Sequence, residues 1–521
     1  MKSKNFLTKL LFIAAGILAL AWSLVVPIFE FPDEQAHFAM VQFLAEKGRV
    51  PEGKEHDLSA EVKGAEDLLG TFRDRLGNNR YTYHPDYHPE YTDTVIGKYE
   101  REIQGLNTLA SRTTMIWTEA ARYPALYYAY SALWYRLAYT GDLLTRLFVV
   151  RLGSVLLSSL TVFVAYLLGR EIFAKESYAR TLAAMVLLHP MLSFVGAGVN
   201  SDNLHNLLFA GFFLFLIRYL KRDLGFGEWL GLIAAMVADV YTKPQAYIMA
   251  PIVGLAILMR LVRTGWEGIG WRKWFAAGLS VAALAAPQEA SKVFGYTSFP
   301  DSVPTHLSFV EFVRFSLNKF ISQNIVWYWG VYKWLGVVLP KVWWWTANRL
   351  VALSAVGVAI GLYRRPHKQA GISSGSVIVF LALSVAIYIS AIFGYDWIFA
   401  TAHGYSFGVQ ARYYFPVIVP SLALVLYGFT ALGWNEMVRE LLRRLLVLFF
   451  VGLQLGGLWR LITSYYSVSS LPQLINQISQ YKPFFAKGDW WYLWGGVYVA
   501  ALTIILIVTL GYRADKDTHK I

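Results

Sequence analysis

Apolar residues occupy this chain in long blocks rather than at the spacing of a soluble core. Residues 11–24, 149–168, 207–217, 377–392 and 500–510 are free or nearly free of charge. A run near ~18–20 apolar residues is long enough to cross a bilayer as one helix. The pattern predicts spans at about 11–28, 148–168, 181–198, 204–219, 228–242, 245–260, 274–287, 342–362, 376–394, 413–432, 444–463 and 492–511. That is about 12 membrane helices, within limits of 11 to 14, because hydropathy does not separate short or broken helices well. The Tyr-rich segment 123–140, interrupted by Arg136, is read as an interfacial or re-entrant helix instead. The first block follows Lys2, Lys4 and Lys9 and exceeds the ~7–15 apolar residues of a signal peptide, so an uncleaved first span is expected.

Composition agrees with the pattern. The length of 521 residues alone would suggest several soluble domains, but 56% are hydrophobic, only 16% charged, and mean hydropathy is +0.42. The chain is expected to be one integral membrane domain, 1–521. With no cysteine it has no disulfide framework, thiolate metal site or thiol nucleophile.

The net charge of +13 changes meaning once the spans are drawn. Lys2/Lys4/Lys9, Arg170/Lys175/Arg180, Arg218/Lys221/Arg222, Arg260/Arg263/Arg272/Lys273, Arg364/Arg365/Lys368, Arg439/Arg443/Arg444 and Arg513/Lys516/Lys520 hold 22 of the 47 basic residues. All fall between apolar blocks where the positive-inside rule puts cytoplasmic loops, so no nucleic-acid partner is inferred. Segment 29–122 is the opposite, with 17 of the chain's 34 acids against 11 basic residues. It reads as a large extracytoplasmic loop. Two later segments, 288–341 and 464–491, fall on the same side and are rich in Trp and Tyr. Such residues form interfacial belts, and the same ring faces stack on carbohydrate.

The sharpest local pattern is Phe31-Pro32-Asp33-Glu34-Gln35-Ala36-His37-Phe38. Pro32 suits a helix start, Asp33 and Glu34 fall in the first turn, and Asp33 and His37 are four apart on one face. The plain reading is a helix cap. Against it, ionised groups beside a membrane span need a reason to be there. Further polar groups gather on the same side: Asn200-Ser201-Asp202-Asn203 with His205, Asp239 with Lys243, and Asp396 and His403 before Gln410-Ala411-Arg412-Tyr413-Tyr414. His84-Pro85-Asp86-Tyr87-His88 has the alternation of a metal site, but its prolines and lack of a fourth ligand favour a loop shaping an entrance.

These segments resemble, in order and spacing, the bacterial multi-span GT-C glycosyltransferases, and most closely a branch of predicted membrane proteins. The resemblance rests on Phe31–Phe38, on Tyr123-Pro124-Ala125-Leu126-Tyr127-Tyr128, on Asn200-Ser201-Asp202 and on Gln410-Ala411-Arg412-Tyr413-Tyr414-Phe415-Pro416. Tyr123 and Ala411 replace a proline and a glycine of the superfamily's motifs. The resemblance implies an all-α polytopic membrane protein with a GT-C-like bundle, its large first external loop carrying amphipathic helices. It implies a transferase that takes a sugar from a polyprenyl-phosphate carrier at the outer face of the inner membrane, with Asp33 leading and Glu34 adjacent.

A lipid phosphate leaves without needing a proton. The reaction therefore needs a carboxylate base for the acceptor hydroxyl and cations for the phosphate. Asp33 is expected as that base, with inversion. Arg412, Lys243 and Tyr413 are expected at the donor phosphate. His37, Asn200, Asp202, His205 and His403 are expected at the substrate or in a second acidic site. If a divalent cation (Mg or Mn) takes part, Asp33, Glu34 and Asp202 are its expected oxygen ligands. The acceptor is a lipid, glycan or protein, and membrane lipids surround the bundle. The competing readings are a transporter or lipid-linked-glycan flippase, with the same charges along a pathway, and a non-catalytic subunit of an envelope polysaccharide system.

Overall fold

The protein is seen here as a computed structural model that describes residues 2–53, 55–74, 77–120, 123–264, 308–364 and 375–511. The expected span 274–287, the first part of segment 288–341 and the basic residues Arg272, Lys273, Arg365, Lys368, Arg513, Lys516 and Lys520 lie outside the described residues.

The helices are α1 (Lys2–Val25), α2 (Glu34–Lys47), α3 (Ala60–Leu69), α4 (Glu100–Gly105), α5 (Leu109–Thr113), α6 (Leu126–Leu137), α7 (Leu143–Ile172), α8 (Glu176–Leu187), α9 (Pro190–Ala197), α10 (Asp202–Lys221), α11 (Phe226–Val240) and α12 (Met249–Thr264). They continue as α13 (Phe309–Lys319), α14 (Lys341–Tyr363), α15 (Gly375–His403), α16 (Ile418–Ala431), α17 (Glu436–Tyr465), α18 (Leu471–Ser479) and α19 (Trp490–Leu510). Strand is confined to two short antiparallel pairs among the described residues, β1 (Leu58–Ser59) with β2 (Met115–Trp117) and β3 (Val331–Tyr332) with β4 (Val337–Val338). The molecule is an all-α polytopic membrane protein.

Among the described residues, eight helices are long and apolar enough to cross a membrane: Leu143–Ile172, Asp202–Lys221, Pro244–Val262, Lys341–Tyr363, Gly375–His403, Ala411–Ala431, Glu436–Tyr465 and Trp490–Leu510. A ninth is the pair α8 and α9, bent by 63°. The sequence reading made 181–198 one straight span. Pro190 lacks the N–H that would continue the ladder, so it starts a new helix with His189 as N-cap. α1 runs over 24 residues, and Lys9–Val25 within it is apolar. α11 has 15 residues and α6 only 12, about 18 Å of helix against a hydrocarbon core of about 30 Å.

The helices pack closely where side chains are small. α14 and α16 cross at Gly357 and Gly428, where a Cβ on Gly357 would strike the Gly428 carbonyl and a Cβ on Gly428 the Ser354 carbonyl. α7 is the central post, packed on α1, α6, α8 and α10. It carries two fully buried arginines, Arg146 and Arg151, each paired with a buried glutamate of the loop below it, Glu61 and Glu34. These pairs fasten the 29–122 loop onto the bundle. Segment 464–491 fastens it from the other side: Gln480 Nε2 donates to the Thr92 carbonyl at 2.8 Å, and the Tyr481 N–H to Glu100 Oε2 at 2.8 Å.

Candidate active site

The turn from α1 into α2 sets the centre of the site. Phe29 and Asp33 have φ of 61° and 57°, so the chain reverses within a few residues and enters α2 at Glu34. Asp33 stands at the N-cap position of α2, yet its side chain makes no capping hydrogen bond. Instead Oδ1 accepts from Arg73 at 2.7 Å and Oδ2 from Arg412 at 2.5 Å. Burial alone would raise the Asp33 carboxyl. The Arg412 and Arg73 guanidiniums override it and hold the group well below the usual carboxylate range. Arg73 is itself fixed by Glu119.

Glu34 has a different job from the one expected of it. Asp33 precedes α2 in a left-handed conformation and lines a cavity, whereas Glu34, the first residue of the helix, does not. Glu34 is fully buried. It accepts from Arg151 Nε at 2.8 Å and Nη2 at 2.5 Å, and from the backbone N–H groups of Phe29 at 2.9 Å and Val199 at 3.2 Å. It clamps the Asp33 turn to α7 and to the start of the second acidic segment.

That second segment opens α10. Asn200 donates from Nδ2 to the Pro32 carbonyl at 3.1 Å, tying it to the first, and its Oδ1 accepts from the Asp202 N–H at 2.8 Å. Asp202 Oδ1 is ion-paired with Lys243 of the α11–α12 connection, while Oδ2 has no partner among the described residues. Arg412 lies in the turn before α16, and its Nε and Nη1 likewise have no partner among the described residues. The Tyr413 ring lies 5.3 Å from Lys243 Nζ and 5.5 Å from the Arg412 guanidinium carbon.

Asp33, His37, Asn200, Asp202, Lys243, Arg412 and Tyr413 all line one cavity of about 640 Å³. Its lining is otherwise largely apolar and includes Ile248, Ile392, Ile398 and Phe407. Charged groups and hydrocarbon in one cavity are the combination an amphiphilic phosphate needs. The His37, Tyr123 and Tyr128 rings lie nearly parallel, with His37 5.6 Å and 5.8 Å from the two tyrosines and these 6.4 Å from each other, and His37 Nδ1 is 2.7 Å from the Tyr128 hydroxyl. Burial drives the imidazole down to about 3, so it is neutral at physiological pH.

Two expected residues are elsewhere. His205 faces away from the cavity into a buried pair with Asp239, Nδ1 to Oδ1 at 2.7 Å. It braces α10 against α11. His403 stacks on Phe399 at 4.2 Å at the end of α15 and does not line the cavity. The three carboxylates named as metal ligands do not fit a shared cation as arranged, because Asp33, Glu34 and Asp202 are each held by a cationic side chain. Among the described residues no group of three or more His, Asp or Glu side chains is disposed to hold a metal ion, His84–His88 included. Sequence reasoning missed Arg73, Tyr123 and Gln245, the last two of which line the cavity.

Solved structures similar to this chain include the following three. ArnT from Cupriavidus metallidurans bound to undecaprenyl phosphate is 15% identical, with a TM-score of 0.41 over 96% of this chain and 77% of that one. The same protein in the apo state gives 14% and 0.40, over 98% and 78%. The Archaeoglobus fulgidus oligosaccharyltransferase in complex with Zn and sulfate gives 13% and 0.39, over 93% and 54%. No curated protein matches the chain significantly in sequence. The family model described as "Predicted membrane protein (DUF2142)" matches residues 17–421, most of the chain and every residue that lines the cavity, and the protein belongs to that family.

Proposed function

We propose that the protein is a membrane glycosyltransferase that moves a sugar from a polyprenyl-phosphate donor to an acceptor hydroxyl at the extracytoplasmic face of the inner membrane. The observation that carries this reading is the Asp33–Arg412 pair in a largely apolar-walled cavity, with two guanidinium nitrogens of Arg412 left without partners among the described residues. A planar guanidinium matches phosphate oxygens, Lys243 adds a second cation, and the apolar wall suits a prenyl chain.

The same pair gives the chemistry an order. While Arg412 and Arg73 both hold Asp33, its carboxylate is a weak base. A donor phosphate that shares Arg412 relaxes that hold and raises the proton affinity of Asp33. The acceptor O–H then gives its proton to Asp33, and the acceptor oxygen forms a bond to the anomeric carbon on the face opposite the leaving group. The bond from that carbon to the phosphate oxygen breaks, and its electron pair leaves on the lipid phosphate beside Arg412 and Lys243. Configuration inverts.

Orientation rests on charge. Asp202 opens α10, and Arg218, Lys221 and Arg222 close it about 30 Å away, so the basic cluster and the site are at opposite ends of one helix.

The test is donor consumption by purified protein in nanodiscs, offered short polyprenyl-phosphate sugars with a mixture of acceptors. Wild type is expected to release polyprenyl phosphate. Arg412→Lys, which keeps the charge but loses the fork, is expected to raise the donor KM by roughly 10-fold or more. An unchanged donor KM in Arg412→Lys contradicts the phosphate role. No release from any donor, with lipid or solute moved across a proteoliposome membrane, replaces the transferase with a transporter.

A further inference from the structure

Asp33 and Arg412 border a second cavity of about 540 Å³, distinct from the apolar-walled one. The two volumes share Asp33, Phe407 and Arg412, so the carboxylate stands between them. The second is walled differently. Trp334, Trp327 and Tyr332 supply ring faces, and Asn78, Asn318 and Gln323 supply amide donors and acceptors.

Its deepest polar group is Glu30, only 2% exposed. Glu30 Oε2 accepts from the Tyr465 hydroxyl at 2.8 Å, while Oε1 has no partner among the described residues. The Tyr332 hydroxyl is also buried without one. Buried polar atoms without partners carry a desolvation cost, which a hydroxyl-bearing ligand would relieve.

Backbone strain is concentrated in the same walls. Seven non-glycine residues have positive φ among the described residues, and four of them, Asp33, Tyr83, Trp334 and Leu335, line this cavity. Lys333, Trp334 and Leu335 follow one another at 50°, 48° and 66°, at the tip of the β3–β4 hairpin. A non-glycine residue in this region is strained and persists only where the surroundings over-determine it. Here they do. Lys333 Nζ donates to the carbonyls of Pro85 and Ser464, both at 2.6 Å, the Tyr83 N–H donates to the Trp334 carbonyl at 3.1 Å, and Trp334 Nε1 donates to the Phe29 carbonyl at 3.3 Å. The strained tip therefore holds the Trp334 indole in place from three directions.

We propose that this second cavity is the acceptor site, that it takes a hydrophilic, hydroxyl-rich acceptor of carbohydrate type rather than a lipid tail, and that Trp334 stacks on that acceptor while Glu30 hydrogen-bonds it. The proposal rests on the transferase reading for the word acceptor, but not for the site itself. Aromatic faces stack on the C–H faces of a sugar, and amides with a buried carboxyl satisfy its hydroxyls. A volume of this size lies within the ~300–1,000 Å³ of small-molecule sites. The acceptor hydroxyl would meet Asp33 from the side opposite the donor, the approach that an inverting displacement requires.

Two measurements test it separately. The first is equilibrium binding, without donor, of neutral oligosaccharides of two to four glucose, mannose or galactose units to the full-length protein in nanodiscs, by saturation-transfer NMR. Wild type is expected to bind at least one, and Trp334→Ala to weaken that binding by ~10-fold or more, the scale of a lost stacking contact. Absence of binding by wild type, or binding equal in wild type and Trp334→Ala, overturns the proposal. The second is transfer from a short polyprenyl-phosphate sugar as acceptor concentration is varied. Trp334→Ala, Asn318→Ala and Glu30→Gln are expected to raise the acceptor KM while donor KM stays within twofold. Acceptance of lipid-linked acceptors alone overturns the proposal. If wild type binds oligosaccharide but consumes no donor, the transferase reading fails and the carbohydrate site stands.

Discussion

Asp33 holds a left-handed backbone conformation without capping its helix, and two arginines share its carboxylate. Asparagine tolerates that conformation as well as aspartate does, so Asp33→Asn removes charge without removing the turn. Its neighbour behaves otherwise. Glu34→Gln or Arg151→Leu leaves one member of a fully buried pair uncompensated, and a loss of roughly 3–5 kcal/mol of stability is expected, read as an early unfolding midpoint in detergent. A variant of either residue as stable as wild type would remove the clamp. Glu30 supplies a pH signature: burial pushes its carboxyl from 4.5 up to about 8, against the pull of the Tyr465 hydrogen bond and of Lys333 and Arg151, with Glu34 adding to the rise. Its folded form binds the proton more tightly than its unfolded form. That contribution to stability is complete below about pH 4.5 and is lost as pH rises through about 8. Melting of wild type should therefore fall relative to Glu30→Gln as pH rises from about 4.5 to about 8, and parallel curves across that window would contradict it. At this scale much of the site was legible. Asp33, His37, Asn200, Asp202, Lys243, Arg412 and Tyr413 were named from four short segments and line one cavity. Glu34 adjoins Asp33 in sequence but pairs with Arg151 outside the cavity, which adjacency alone does not show. Arg73 and Glu119 sit in irregular loop with no period to mark them, and Glu30 lies just ahead of the motif that drew attention.

Helices were legible wherever the apolar block was unbroken. The expected 342–362 and 492–511 match Lys341–Tyr363 and Trp490–Leu510 within two residues at each end. The failures have local causes. Pro190 divides 181–198 in two. The span drawn as 376–394 continues to His403 because Asp396, a polar residue that ends a hydropathy window, is satisfied by the Ser406 hydroxyl at 3.0 Å and the Phe407 N–H at 2.7 Å. No sequence window reports that kind of satisfaction. The crossing of α14 and α16 yields a sharp expectation. Gly428→Val should lower stability by about 1–3 kcal/mol or more, because the added carbons meet the Ser354 carbonyl rather than a side chain that can turn away. Gly211→Ala is the control, since a Cβ there meets nothing within 4 Å. Equal melting of the two variants would mean that the helices do not approach so closely.

On the scale of the whole molecule, the site lies at one end of the bundle and the basic clusters at the other. The chain has no cysteine, so single cysteines report sidedness without background. Arg101→Cys, on the exposed 29–122 loop, should react with a membrane-impermeant maleimide added to intact cells, and Phe226→Cys, 86% exposed beside the basic end of α10, only after lysis. The reverse labelling would put the site on the cytoplasmic side. The charge pattern of the sequence is what predicts this orientation. The division of the interior into an apolar-walled and a polar cavity was not, because residues from Glu30 to Arg412 meet there from distant parts of the chain. The central claim is that Asp33 acts on the acceptor between those cavities, and the most direct measurement is the turnover of a short polyprenyl-phosphate sugar by Asp33→Asn beside wild type in nanodiscs. Loss of a positioned base should lower turnover per folded protein by ~10²–10⁴-fold. An Asp33→Asn protein that turns over donor at the wild-type rate would contradict the account.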